Sequence, residues 1–86
     1  MKDRFREFQI ESIDDKNYRV DRVSIIKDGD NKGKESFAFV GYYGQIEHAI
    51  KTIAQLLANK ADDLNAWLVE YRVVKEEIET MITRNS

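Results

Sequence analysis

Phe37 to Ile50 reads FAFVGYYGQIEHAI, and the point where its aromatic run gives way to a helical pattern decides the fold. In Phe37 to Tyr43 nearly every residue is aromatic, β-branched or small, the composition of a strand wanted on both faces. Gly44 ends that run and is suited to cap a helix. Glu47, three residues on, is placed to bond back to the cap and to sit at the positive end of the helix dipole. From there apolar residues recur at Ile46, Ala49, Ile50, Ile53, Leu56 and Leu57, a 3.6-residue period. The junction delivers a helix directly from a strand.

Upstream, Met1 to Arg4 reads as a frayed charged end. Phe5 to Ser12 alternates, with Phe8 and Ile10 on one side and Glu7, Gln9 and Glu11 on the other, as a half-buried strand does. Asp14-Asp15-Lys16-Asn17 is a cluster of turn formers, and Tyr18 opens a second strand. Its apolar phase slips between Tyr18 and Val20 on even positions and Val23 and Ile25 on odd ones, which predicts a β-bulge at Asp21-Arg22. Lys27 to Glu35, KDGDNKGKE, is the loop of a second hairpin into the third strand.

Downstream, a first helix is expected over 45–59. Ala61-Asp62-Asp63 breaks it, and either aspartate can cap a second helix over 62–83. Leu64, Trp67, Leu68, Tyr71, Val74, Ile78, Met81 and Ile82 form its apolar stripe. Three strands over 5–43 and two antiparallel helices make a βββαα, two-layer α+β domain spanning 1–86, its helical hairpin packed on one face of an antiparallel meander. The second helix outruns the first, so Ile78, Met81 and Ile82 are candidates for a homodimer contact.

The 86 residues contain no cysteine, so neither a disulfide framework nor a thiolate metal site is available. Nothing at the start resembles a signal peptide, and no apolar stretch reaches the ~20 residues of a membrane span, so the expectation is a cytoplasmic protein without a membrane partner. Net charge is −2: residues 1–44 carry nine basic and nine acidic side chains, and residues 45–86 five against seven. That balance lacks the basic excess of a broad nucleic-acid or membrane surface.

Candidate chemistry is sparse. His48, the single histidine, falls off the apolar stripe, and there is no phosphate-cradling glycine motif and no serine or cysteine triad spacing. Asp28-Gly29-Asp30-Asn31-Lys32-Gly33 begins like a calcium loop, but Lys32 and Phe39 stand where oxygen ligands belong. No enzyme and no cofactor are expected. What remains are surfaces. Sheer bulk assigns Phe37, Phe39 and Tyr43 to the core face of the third strand and leaves Val40 and Tyr42 on a smoother patch that can receive a protein partner. Glu70, Glu76, Glu77 and Glu79 on the second helix offer an acidic surface, of the kind that can occupy a nucleic-acid groove on another protein.

Two resemblances bear on these surfaces. Glu35 to Tyr42, ESFAFVGY, resembles the RNP1 octamer of RNA-recognition motifs at six of eight positions, with Glu35 standing where that family has a basic residue and Ser36 where it has glycine. The resemblance implies that Phe37 and Phe39 stack on bases, aided by Lys27, Lys32 and Lys34 on the adjoining loop. Separately, the short charged meander, the GYYG turn at Gly41 to Gly44, the Ile46-Ala49-Ile50-Ile53 spacing and the Glu/Lys-rich last helix look like small accessory proteins carried by bacteriophages and mobile elements. That likeness implies a non-catalytic interaction module in the bacterial cytoplasm that binds a host or defence protein, for instance as an inhibitor of a nuclease. A small single-stranded nucleic-acid binder and a structural homodimer are the alternative readings.

Overall fold

Six elements follow one another: β1 (Lys2–Phe5), β2 (Phe8–Asp14), β3 (Asn17–Ile25), β4 (Glu35–Tyr43), α1 (Ile46–Ala58) and α2 (Leu64–Asn85). The computed structural model describes residues 2–85 and divides into two compact units between Gln45 and Ile46, an antiparallel sheet and a helical hairpin. The α+β class expected from the sequence is present.

The sheet has four strands in the order β1-β2-β3-β4, one more than the meander expected from the sequence. The addition is β1. Lys2-Asp3-Arg4-Phe5 has no apolar alternation, because an edge strand needs only its backbone to pair with β2, here from Lys2 opposite Glu11 to Phe5 opposite Phe8. The two-residue turn between Phe5 and Phe8 carries neither Asn nor Gly. Arg6 takes the left-handed conformation itself, at φ 51°, and lays its guanidinium 5.3 Å from the Phe5 ring.

The β3–β4 hairpin closes on a glycine bulge. Gly33, at φ 89°, donates its amide to Ile26 O at 2.8 Å, while Ile26 N donates to Lys34 O at 2.9 Å, so Gly33 and Lys34 together oppose one residue. Further up, Val20 pairs with Gly41 but Asp21 pairs with Phe39. Val40 is the extra residue. A bulge was expected in β3 at Asp21-Arg22, and the structure places it opposite, in β4. β3 itself stays regular against β2, with Gln9 opposite Asp21 and Phe8 opposite Arg22. The phase slip in its sequence has another cause: Val20 is buried on one face of the sheet and Val23 on the other.

Cross-strand partners share a face, which sorts the residues. One face holds Phe8, Ile10 and Val20, all within 1% of full burial, with Tyr18 and Tyr43 beside them. Each of the three is worth about 1.5–3 kcal/mol relative to exposure. Tyr43 lies over Gly41, where a Cβ would come within 3.0 Å of its hydroxyl oxygen. The opposite face carries Arg4, Gln9, Arg19, Asp21, Val23, Phe37, Phe39 and Tyr42.

In the helical unit, α1 buries Ala49, Ile50, Ile53 and Leu57 of the expected stripe together with Ala54 and Ala58, while Ile46 and Leu56 are half-buried. Asp63 caps α2, its Oδ1 accepting from Ala66 N at 2.7 Å, and Trp67 Nε1 donates to Asn59 Oδ1 at 2.8 Å across the turn. Trp67 also stacks on Tyr71, with centroids 5.2 Å apart. The helices run 13 and 22 residues, so α2 is longer by roughly 13 Å at 1.5 Å per residue. Of its expected stripe, Val74 and Ile78 are buried, whereas Leu64 is 88% exposed.

Candidate functional site: an aromatic face on the sheet

Strand alternation alone would put Phe37, Phe39, Gly41 and Tyr43 on one side and Ala38, Val40 and Tyr42 on the other. The extra residue at Val40 exchanges the two tyrosines. Tyr42 joins Phe37 and Phe39 on the same face, and Tyr43 turns to the buried one. The expectation that Phe37 and Phe39 belong to the core is therefore corrected: they are 50% and 53% exposed, and Tyr42 is 58% exposed. Bulk misled, because the aromatic side of the strand is not its buried side.

The rings are held in place by arginines from other strands. Phe39 and Tyr42 are in contact, with centroids 4.9 Å apart and planes inclined at 52°. The Arg19 guanidinium sits 5.1 Å from the Phe39 centroid and 6.0 Å from that of Tyr42. Its Nε donates to both carboxylate oxygens of Asp21, at 3.1 and 3.0 Å. Asp21 is only 4% exposed, so this charge-assisted contact also answers the need of a buried carboxylate for a partner. The bond to Asp21 raises the affinity of Arg19 for its proton, with smaller help from Tyr42.

On β1, Arg4 repeats the arrangement. Its Cζ lies 5.9 Å from the Phe37 centroid, and its two terminal nitrogens donate to the two Glu35 oxygens at 2.7 and 3.3 Å. That fork holds the Glu35 carboxyl below its ordinary value. The face thus presents three half-exposed rings, two guanidiniums stacked against them and a carboxylate on each guanidinium. Arg4, Arg19, Asp21 and Glu35 were not read as site residues from the sequence. Only the spacing of Arg19 and Asp21, two apart and so on one side of a strand, hinted at their pairing.

The other candidates fall as follows. Val40, at the bulge, is half-buried, and Lys27, Lys32 and Lys34 are exposed on the loop before β4. On α2, Glu76, Glu77 and Glu79 are exposed and Glu70 is half-buried. Successive positions turn by about 100° around a helix, so these acids spread around α2 instead of forming one ridge. Lys75 Nζ also lies 3.5 Å from a Glu79 oxygen. Met81 and Ile82 are half-buried, and Ile78 is fully buried, so Ile78 offers no surface to a second copy. The large exposed apolar residues among those described on α2 are instead Leu64, Leu68, Val69 and Val73.

His48 is exposed, and its carbonyl accepts from the Thr52 hydroxyl at 3.0 Å. Among the described residues no group of three His, Asp or Glu side chains is placed to hold a metal, and no helix is long and apolar enough to cross a membrane. Neither a family model, nor a curated protein, nor a solved structure matches the chain.

Proposed function

We propose that this chain is a non-catalytic protein-interaction module that docks through the Phe37, Phe39 and Tyr42 face of its sheet. The observation that carries this reading is the neutrality of an aromatic, arginine-containing surface. Aromatic residues and arginine are the types enriched at the buried centres of protein interfaces, where net charge is depleted. Here each arginine already has its counter-charge, Arg4 on Glu35 and Arg19 on Asp21. Burying such a surface costs less desolvation than burying bare guanidiniums. The partner it fits is a protein with an apolar pocket for the rings and a polar rim of both signs. The likeness to phage accessory proteins makes a bacterial host or defence nuclease the first partner to try.

A second reading rests on a different observation. Phe37 and Phe39 alternate on an open sheet face, with Arg19 over one ring and Arg4 over the other, an arrangement able to stack single-stranded bases. The paired charges and the overall acidity weigh against it, because a phosphate backbone needs unneutralised cations.

The experiment is a tagged capture from bacterial lysate, with and without nuclease, comparing the native chain with Phe39→Ala/Tyr42→Ala and with Leu68→Ala on α2. The protein-interaction reading expects a stoichiometric protein that survives nuclease, is lost with the aromatic pair and is kept by Leu68→Ala. Nucleic acid in the untreated sample, with every protein lost on digestion, would replace it by the second reading. Retention of the protein by the aromatic double variant would overturn the assignment of the face.

A further inference from the structure

The two edges of the sheet are built differently. β1 is four residues long and three of them, Lys2, Asp3 and Arg4, are charged, which is how natural edges resist pairing. β4 runs nine residues, and beyond Glu35 it has neither a charge nor a proline. Ser36, Phe37, Ala38 and Phe39 are all exposed. The bonding phase of β4 follows from the hairpin, where Ile26 and Lys34 form a hydrogen-bonded pair. Alternation along an antiparallel ladder then directs Ser36 and Ala38 toward β3 and turns the amides and carbonyls of Glu35, Phe37 and Phe39 outward. An open, unprotected template of five residues results.

That edge is compatible with itself. Its Glu35 end carries a carboxylate held by Arg4 and its Phe39 end a guanidinium held by Asp21, so each end is charge-balanced and neither repels the other in an antiparallel pairing. When two such strands run antiparallel about a two-fold axis at Phe37, outward backbone groups meet outward backbone groups. Each Glu35 then comes opposite the partner subunit's Phe39, beside the partner subunit's Arg19. We propose that the protein self-associates through β4 in this register, joining two four-stranded sheets into one of eight strands with Phe37 against the partner subunit's Phe37. The bulge at Val40 bends β4 beyond Phe39 and limits the pairing to 35–39. The charged β1 edges leave nothing to propagate, so the assembly closes as a dimer instead of a fibre. The aromatic faces stay open and become contiguous, presenting six rings on one side of the joined sheet.

The test starts with the solution mass of the native chain by light scattering from micromolar to millimolar concentration, expected to reach twice the 10.1 kDa of one chain. Phe37→Lys sets two ammonium groups against each other at the axis and should halve that mass while leaving the far-UV circular dichroism unchanged. Since the chain has no cysteine, Phe37→Cys reports the register directly. Hydrogen-bonded antiparallel pairs hold Cα atoms about 5.5 Å apart, within disulfide range, so oxidation should give a covalent dimer. Tyr42→Cys, beyond the bulge, should not. A native chain that stays at one chain's mass throughout, a dimer that survives in folded Phe37→Lys, or Phe37→Cys that cross-links no better than Tyr42→Cys would overturn the proposal. Should Phe37→Lys fail to fold, the cysteine pair decides alone.

Discussion

The rings of Phe39 and Tyr42 are in contact, with centroids 4.9 Å apart, although residues three apart in a regular strand point to opposite faces. The contact exists because Val40 is an extra residue in β4, facing no partner of its own between the Val20–Gly41 and Asp21–Phe39 pairs. Deleting Val40 should therefore remove the bulge without moving either flank to the other face. Gly41 would still oppose Val20, and Phe39 and Tyr42 would become an ordinary i, i+2 pair on the same side. We expect a folded protein destabilised by no more than about 1–2 kcal/mol, the burial lost with one half-buried valine. Deleting Ala38 instead shifts the flank from Phe37 toward the hairpin by one residue against β3 and should cost far more. Equal losses for the two deletions in urea melts would contradict the register.

The sidedness of the sheet makes a second, independent prediction. Phe8 is fully buried, and its truncation to alanine should cost about 3–5 kcal/mol. Phe37→Ala and Tyr42→Ala remove rings of similar size from half-exposed positions and should each cost under about 1 kcal/mol, the range of surface changes. On α2 the same contrast holds between Ile78, fully buried, and Leu64, 88% exposed. Ile78→Ala should lose about 2–5 kcal/mol, whereas Leu64→Ala should be near neutral. Thermal melts of the five truncations would show the assignment of faces to be wrong if the phenylalanine or the α2 pair came out in the reverse order.

The helices were legible in the sequence because a 3.6-residue period and an aspartate before an apolar run are local signals, and both depend on the elements' own chemistry. The turn at Lys27 to Glu35 was equally plain, since Gly33 supplies a positive φ that few other residues take. β1 was not legible. Its pairing is carried by backbone groups, and its turn uses Arg6, which no turn rule selects. The site was hidden for a related reason. One inserted residue in β4 reverses which tyrosine joins Phe37 and Phe39, and an aromatic strand carries no label saying where its extra residue sits. Arg4 and Glu35 lie 31 positions apart, so their pairing depends on the sheet being assembled.

Two aspartates precede α2, and only one caps it. Asp63 Oδ1 accepts from Ala66 N at 2.7 Å, satisfying one of the amides a helix start leaves without a partner. Asp63→Ala should cost about 1 kcal/mol and reduce helical circular dichroism on mild heating, while Asp62→Ala should stay within about 0.5 kcal/mol of the native chain. A larger effect at Asp62 would move the cap by one residue and with it the phase of the α2 stripe.

Acid should weaken the sheet through two carboxylates whose causes differ. Glu35 is held below its ordinary value by the hydrogen bonds from Arg4, and Asp14 is held below its own by the Lys16 amide first and then by the Asn17 side-chain amide. In both cases the folded protein binds the proton less tightly than the unfolded chain. Their contribution is complete above the ordinary carboxylate range and is lost as pH falls through that range toward the lower folded values. The exposed Arg4–Glu35 pair depends on opposite charge, which salt screens, whereas Asp14 depends on short contacts from neutral amides, which salt screens far less. A carboxyl-carbon titration by nuclear magnetic resonance should therefore show Glu35 rising toward its ordinary midpoint in high salt and in Arg4→Ala, with Asp14 unmoved by either. A Glu35 midpoint indifferent to Arg4→Ala would mean that β1 and β4 are not tied across the open face, and the placement of Arg4 against Phe37 would fall with it.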